Sequence, residues 1–279
     1  MKSAHIGRSK PAPLHDFAAA SRLHTHHTRC SIASGQPKTD KKVLNGRPPI
    51  MIGGIPLSAM FAMNMKNKTV IILLVVGLAS SLCRAERPEN ELPMYGGKHN
   101  PDVEQNKEFS ASAAKLGWQY YYRGDLDTAI KRFNQAWMFD RESADAFWGF
   151  GLIMGRRSDK EDAEQNLRES IRFLEMAASR QTNNPNILVD LGYSRTGLGV
   201  LFKDKKDPAS TNEFRKARAA FEQAERLNPD LPPVHSNWSV LEFWQCNYQK
   251  AQERLDRATK LGFNPDPAYV KTLEDKLKK

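Results

Sequence analysis

From Lys107 to the end of the chain, apolar residues return every three or four positions, the spacing that lines one face of an α-helix. No stretch of this region alternates apolar with polar as a half-buried strand would. The breaks between periodic stretches carry helix-boundary signals. Asn184-Pro185 and Asp266-Pro267 each put a capping side chain ahead of a proline, whose missing N–H is harmless at the first helical position. Ser158-x-x-Glu161 and Ser210-x-x-Glu213 have the spacing of capping boxes, in which a hydroxyl and a carboxylate satisfy opposite N–H groups of a first turn. The pattern predicts eight helices in four antiparallel pairs and a ninth from about Asp266 to Lys278. Residues 86–106, "ERPENELPMYGGKHNPDVEQN", are rich in Pro, Gly, Asn and charge and show no period, which predicts a linker or extended arm.

The pairs repeat. In a unit beginning at Ser110, Leu116, Gly117, Tyr120, Gly124, Ala129, Phe133 and Ala136 fall at offsets 7, 8, 11, 15, 20, 24 and 27. That pattern resembles the tetratricopeptide repeat, a helical hairpin of about 34 residues. The resemblance implies that Gly117 and Ala129 lie where the two helices come closest and Ala136 where the next hairpin packs. A second unit has Phe147, Phe150 and Gly151 in register, then Ser170, Leu174 and Ala177 seven residues late. Seven residues make about two helical turns, so the insertion is expected to lengthen a helix without rotating its apolar face. The third has Leu188, Leu191, Gly192 and Gly199, and resumes at Ala217, Phe221, Ala224 and Pro229 thirteen residues late, with "KDKKDPAST" (203–211) expected as a charged loop. The fourth puts Ser239 and Cys246 at the two glycine positions, with Tyr248, Ala251, Leu255 and Ala258 in register. Residues 107–279 thus read as an all-α, antiparallel helix-pair solenoid of about four such repeats, its last helix capping the stack as terminal repeats do. "GDLDTAIKRFNQAW", "AFWGFG" and "LPMYGG" also resemble a group of bacterial secreted or membrane-attached repeat proteins.

Charge and compartment turn on residues 65–85, "MKNKTVIILLVVGLASSLCRA". A short basic start, an apolar run from Val70 to Leu82 and a small-residue end at Cys83-Arg84-Ala85 form the three parts of a secretory signal peptide. A membrane span needs about 20 apolar residues, so an anchor fits less well than cleavage after Ala85. Lipid attachment at Cys83 would want a small residue where Leu82 stands. The 1–64 extension has nine Lys or Arg, two acids and no period long enough to bury a face, and is expected not to fold alone. It reads as an organellar targeting sequence or as an extension ahead of a start at Met65. The whole chain is +10, but the twelve basic and two acidic residues of 1–85 leave 30 of each sign in 86–279. That neutral balance withdraws the nucleic-acid or membrane-surface reading that a pI of 9.5 would invite.

Catalytic chemistry needs a nucleophile, base or metal cluster. His99 and His235, the two histidines after residue 85, sit in no such pattern, and no phosphate-binding G-x-x-x-x-G-K-[ST] occurs. Two of the glycines Gly192, Gly197 and Gly199 fall on the repeat's own glycine positions, and the sequon at Asn237 lies on a predicted helix. No enzyme and no cofactor is expected. The family resemblance implies instead a concave groove lined by the first helix of each pair, binding a peptide or partner helix. Its offsets place there Trp118, Tyr121 and Tyr122, then Trp148, Leu152 and Arg156, then Asn186 and Tyr193, and last Phe243 and Trp244. The family's clamp for C-terminal carboxylates needs Lys, Asn and Arg where Ala114, Trp118, Gly149, Asn186 and Asp190 stand, so that clamp is not expected. Aromatics at helical spacing also serve as core, which keeps a packing role open for these residues. Self-association into a scaffold, or service as an accessory subunit of a cell-envelope enzyme or assembly complex, are the alternative functions.

Overall fold

A computed structural model of the chain describes residues 51–52, 55–56, 87–97, 103–158 and 162–278. The signal-like segment 65–85 and His99 lie outside the described residues. Two units divide the chain. In the unit Cys30–Arg87, β1 (Met51–Ile52) pairs antiparallel with β2 (Ile55–Pro56). The other unit, Met1–Arg29 with Pro88–Lys279, holds every helix described below.

Four hairpins follow one another: α1 (Lys107–Tyr122) with α2 (Leu126–Phe139), α3 (Ala144–Arg157) with α4 (Ala163–Arg180), α5 (Pro185–Asp204) with α6 (Ala209–Leu227), and α7 (Pro232–Trp244) with α8 (Tyr248–Lys260). Helix α9 (Pro267–Leu277) packs on α8 and closes the series. The helix starts are written locally. Asn106 Oδ1 accepts from the amides of Glu108 and Phe109, Asn184 from that of Asn186 and Asp266 from that of Ala268, each satisfying a first-turn N–H that has no partner inside the helix.

Two boundary expectations are corrected. Ser158 ends α3 rather than starting α4, its hydroxyl donating to the Gly155 carbonyl at 2.5 Å, and α4 begins after Asp162. Ser210 lies inside α6, where Asp207 takes the Ala209 amide at 2.8 Å and Glu213 is drawn into an ion pair instead of reaching back to a cap. The extra residues of the third unit also differ from the expected charged loop. They lengthen α5 to 20 residues and α6 to 19, leaving only 205–208 between the helices. The charged run can sit this close to the core because Asp204, Lys205 and Lys206 remain exposed while Phe202 and Phe214, on either side, are buried.

Small residues set the spacing within the hairpins. A methyl group on Gly117 would stand 2.8 Å from the ring of Phe133, and one on Gly192 2.6 Å from that of Phe221. Gly151 meets Leu174 in the same way at 2.6 Å, so the register holds across the inserted residues. Ser239 replaces this glycine in the last hairpin, and its hydroxyl is accommodated by the Ala251 carbonyl and the Tyr269 hydroxyl, both at 2.7 Å. Three apolar clusters result: one from α1 to α6, one spanning α5 to α7, and a small one joining α7, α8 and α9 around Leu273.

Residues 87–97 form a short 3-10 turn (Glu89–Glu91) and a left-handed turn through Met94, Tyr95 and Gly96, both laid against α2, not a free arm. The buried Asn134 donates from Nδ2 to the carbonyls of Asn90 and Leu92 at 3.1 and 2.9 Å, and Arg157 donates to that of Glu91 at 2.8 Å. Met94 and Tyr95 pack on the first cluster.

A buried carboxylate ties the third and fourth hairpins together. Glu242 in α7 is 2 % exposed and accepts from Arg218 at 2.6 Å, the Trp238 indole at 2.9 Å and Asn247 at 2.8 Å. Burial by itself would raise its pKa, but Arg218, Asn247 and Trp238 outweigh burial and hold the carboxyl below the usual glutamate range. A depressed folded-state pKa means stabilisation that is present above the unfolded value of about 4.3 and lost as pH falls through the folded value. The urea midpoint should therefore drop more between about pH 5 and about pH 3 in the parent protein than in Glu242→Gln. Equal drops in the two proteins would show that this carboxylate does not contribute to acid sensitivity.

Candidate functional site

The first helices α1, α3 and α5 bring most of the expected groove residues to one shared face. Trp118 and Trp148 meet edge to face with ring centroids 4.8 Å apart. Each indole N–H is held by an aspartate of the following hairpin: Trp118 donates to Asp145 at 3.2 Å and Trp148 to Asp190 at 2.7 Å. Indole–carboxylate bonds of this kind fix both ring orientations, because the indole nitrogen is a donor only and has one direction to satisfy.

Tyr121 and Tyr122 follow Trp118 by one turn and split between two environments. Tyr121 is 5 % exposed, with its hydroxyl buried and lacking a hydrogen-bond partner, and the Arg156 guanidinium lies 5.4 Å from its ring centre. Burial pushes the Tyr121 phenol well above its ordinary pKa; Arg156 opposes that shift and Asp190 adds to it. Tyr122 is 49 % exposed and lies beside Trp118, rings 6.1 Å apart and 23° from parallel. Its phenol is also raised, by burial first and then by Asp190 and Asp145. Tyr193 acts electrostatically on Tyr121 and is half-buried, and Asn186 is half-buried at the α5 start, where its side chain turns toward Asn184 at 3.4 Å.

Other expected groove residues are placed elsewhere. Leu152 belongs to the first apolar cluster. Phe243 is packed among Tyr248, Tyr269 and Leu273 in the last cluster. Trp244 is half-buried between the second and third clusters, and its carbonyl accepts from Lys203 at 2.5 Å. Asp145 is a site residue that the sequence did not single out, and Asp190 entered there only as a position of the carboxylate clamp that is not expected. Asp145 stands in the second unit where Asn186, an expected groove residue, stands in the third, and that signal was enough to find it. Asp190 lies at offset 6 and carries no such mark.

Among the described residues no other cluster of reactive groups forms. Among the described residues no three His, Cys, Asp or Glu side chains stand where they could hold a metal ion, and no helix is long and apolar enough to cross a membrane. His235 is buried with Nε2 2.7 Å from the Pro229 carbonyl, and Asn237 of the sequon is buried on α7, out of reach of a glycan.

No family model matches the chain. It is 24 % identical over 201 residues to human tetratricopeptide repeat protein 5, a match that takes in 70 % of this chain and 44 % of that protein. The chain thus spans less than half of that relative. Among solved structures, the thermophilic TPR protein TTC0263 of Thermus thermophilus is similar over 55 % of this chain and 74 % of its own, at 18 % identity and a TM-score of 0.48. MamA is similar over 55 % and 77 %, at 19 % identity and a TM-score of 0.40. The register of the four hairpins, with a small residue of each first helix set against its second, leads to one conclusion: the described residues of 107–278 form an all-α, antiparallel helix-pair solenoid of four tetratricopeptide-like repeats and a closing helix.

Proposed function

We propose that this protein is a non-enzymatic protein-interaction module, exported through the segment at 65–85, that binds an extended peptide or a partner helix along the face shared by α1, α3 and α5. Helical-repeat solenoids bind partners on surfaces built by successive units, so the fold supports the general reading. The observation that carries the specific one is the pair of tryptophans whose indoles are each fixed by an aspartate, with the exposed Tyr122 beside them. Rigid aromatic side chains of this kind are the usual anchors of binding energy, because little entropy remains to be lost when a partner covers them.

The full chain, panned against a randomised peptide library, should yield ligands whose binding is lost in Tyr122→Ala and kept in Glu222→Ala, a change at an exposed residue of α6. Ligands indifferent to Tyr122 would place the binding surface elsewhere. Mass spectrometry of the N-terminus of the native protein tests export, with Glu86 as the expected first residue. A scaffold role by self-association has one observation in its favour: Phe109 and Leu116, 59 % and 40 % exposed, both lie on α1, the first repeat helix. Light scattering separates that reading from the first, since a strict monomer removes it.

A further inference from the structure

The chemistry of the occupant follows from the charges around the two tryptophans, and this step rests on the groove reading above. Asp145 is exposed, spends one oxygen on the Trp118 indole, and has no ion pair with any basic side chain among the described residues. Asp190 holds the Trp148 indole. Both carboxylates act on the Tyr122 hydroxyl, whereas the one guanidinium acting on this group of tyrosines, Arg156, lies over Tyr121. The exposed Asp145 carboxylate and the electron-rich faces of Trp118 and Tyr122 give the patch a negative character. An acidic or purely aliphatic ligand side chain would cover the Asp145 carboxylate without compensating it, a cost that grows as water leaves.

We propose that the patch formed by Trp118, Tyr122, Asp145 and Asp190 receives a basic side chain, lysine or arginine, of an extended peptide segment. The cation lies against the indole and phenol faces, where the ring quadrupole attracts it, and within reach of the Asp145 carboxylate.

A randomised heptapeptide array probed with the full chain should select peptides with Lys or Arg at one fixed position. Changing that residue to Ala should weaken binding roughly five- to tenfold, the range for one partly exposed ion pair with a cation–π contact. Asp145→Asn, which keeps an acceptor for the Trp118 indole, should produce a similar loss and leave peptides lacking the basic residue unaffected. Basic peptides indifferent to Asp145→Asn would overturn the proposal. So would selection of acidic peptides whose binding falls in Arg156→Gln, an outcome that leaves the groove in place with the opposite preference. Selected peptides that all ignore Tyr122→Ala would instead remove the groove reading itself.

Discussion

Phe133→Ala is expected to lower the unfolding free energy by about 3–5 kcal/mol, the range for removing a fully buried aromatic ring. The ring fills a slot between two hairpins: Gly117 on α1 and Gly149 on α3 leave no room for a methyl group on either side, with added carbons falling 2.8 and 2.4 Å from it. Trp118 also meets it edge to face at 5.0 Å and Phe150 at 6.4 Å. Alanine therefore opens a cavity that neighbouring glycines cannot fill. The loss should appear in urea unfolding followed by circular dichroism, together with a shift of the Trp118 fluorescence. A change below about 1 kcal/mol would mean that the hairpins collapse onto the vacancy, and that the glycine contacts do not set their separation.

Arg195→Met should cost a comparable amount, about 3–5 kcal/mol, for a different reason. Arg195 on α5 joins Glu213 of α6 at 2.7 Å and also bonds Glu175 of α4, with about a tenth of its side chain exposed. Glu213 is buried to the same degree, so removing the guanidinium leaves a carboxylate with little water to replace it. Lys216, 3.3 Å from Glu213 and more exposed, offsets part of that loss and places the expectation at the lower end. Removing both charges in Arg195→Met/Glu213→Leu should restore most of the stability, because the penalty belongs to the unpaired ion and not to the missing pair. Chemical denaturation of the single and double variants measures the difference. A double variant no better than Arg195→Met would assign the cost to lost packing.

The helix pairs were legible because their cause is local. Apolar spacing fixes which face is buried, and Asn184-Pro185 and Asp266-Pro267 carry the start of a helix within three residues. What was not legible depends on contacts between distant residues. Ser158 and Ser210 have capping-box spacing, but the α3 helix runs up to the first, and the second lies within a helix already begun at Ala209. The lysines of 203–206 read as loop because nothing in a charged run announces that Phe202 and Phe214 on either side are held in the core. At the candidate site, family offsets brought Trp118, Tyr122 and Trp148 to one face, yet they carried no information on depth. Leu152 and Phe243 stand at the same kinds of offset and are buried, because later elements cover them: the first cluster closes over Leu152, and Tyr269 of α9 over Phe243. Asp145 and Asp190 acquire meaning only once a tryptophan from the preceding hairpin arrives within hydrogen-bond distance.

The seating of residues 88–97 on α2 moves the edge of the folding domain. Repeat periodicity would start an expression fragment at Lys107, but such a cut would strip Asn134 and Arg157 of acceptors supplied by Asn90, Glu91 and Leu92 and bare the surface under Met94 and Tyr95. The smallest fragment that keeps these contacts accordingly begins near Pro88, some twenty residues ahead of its first repeat helix.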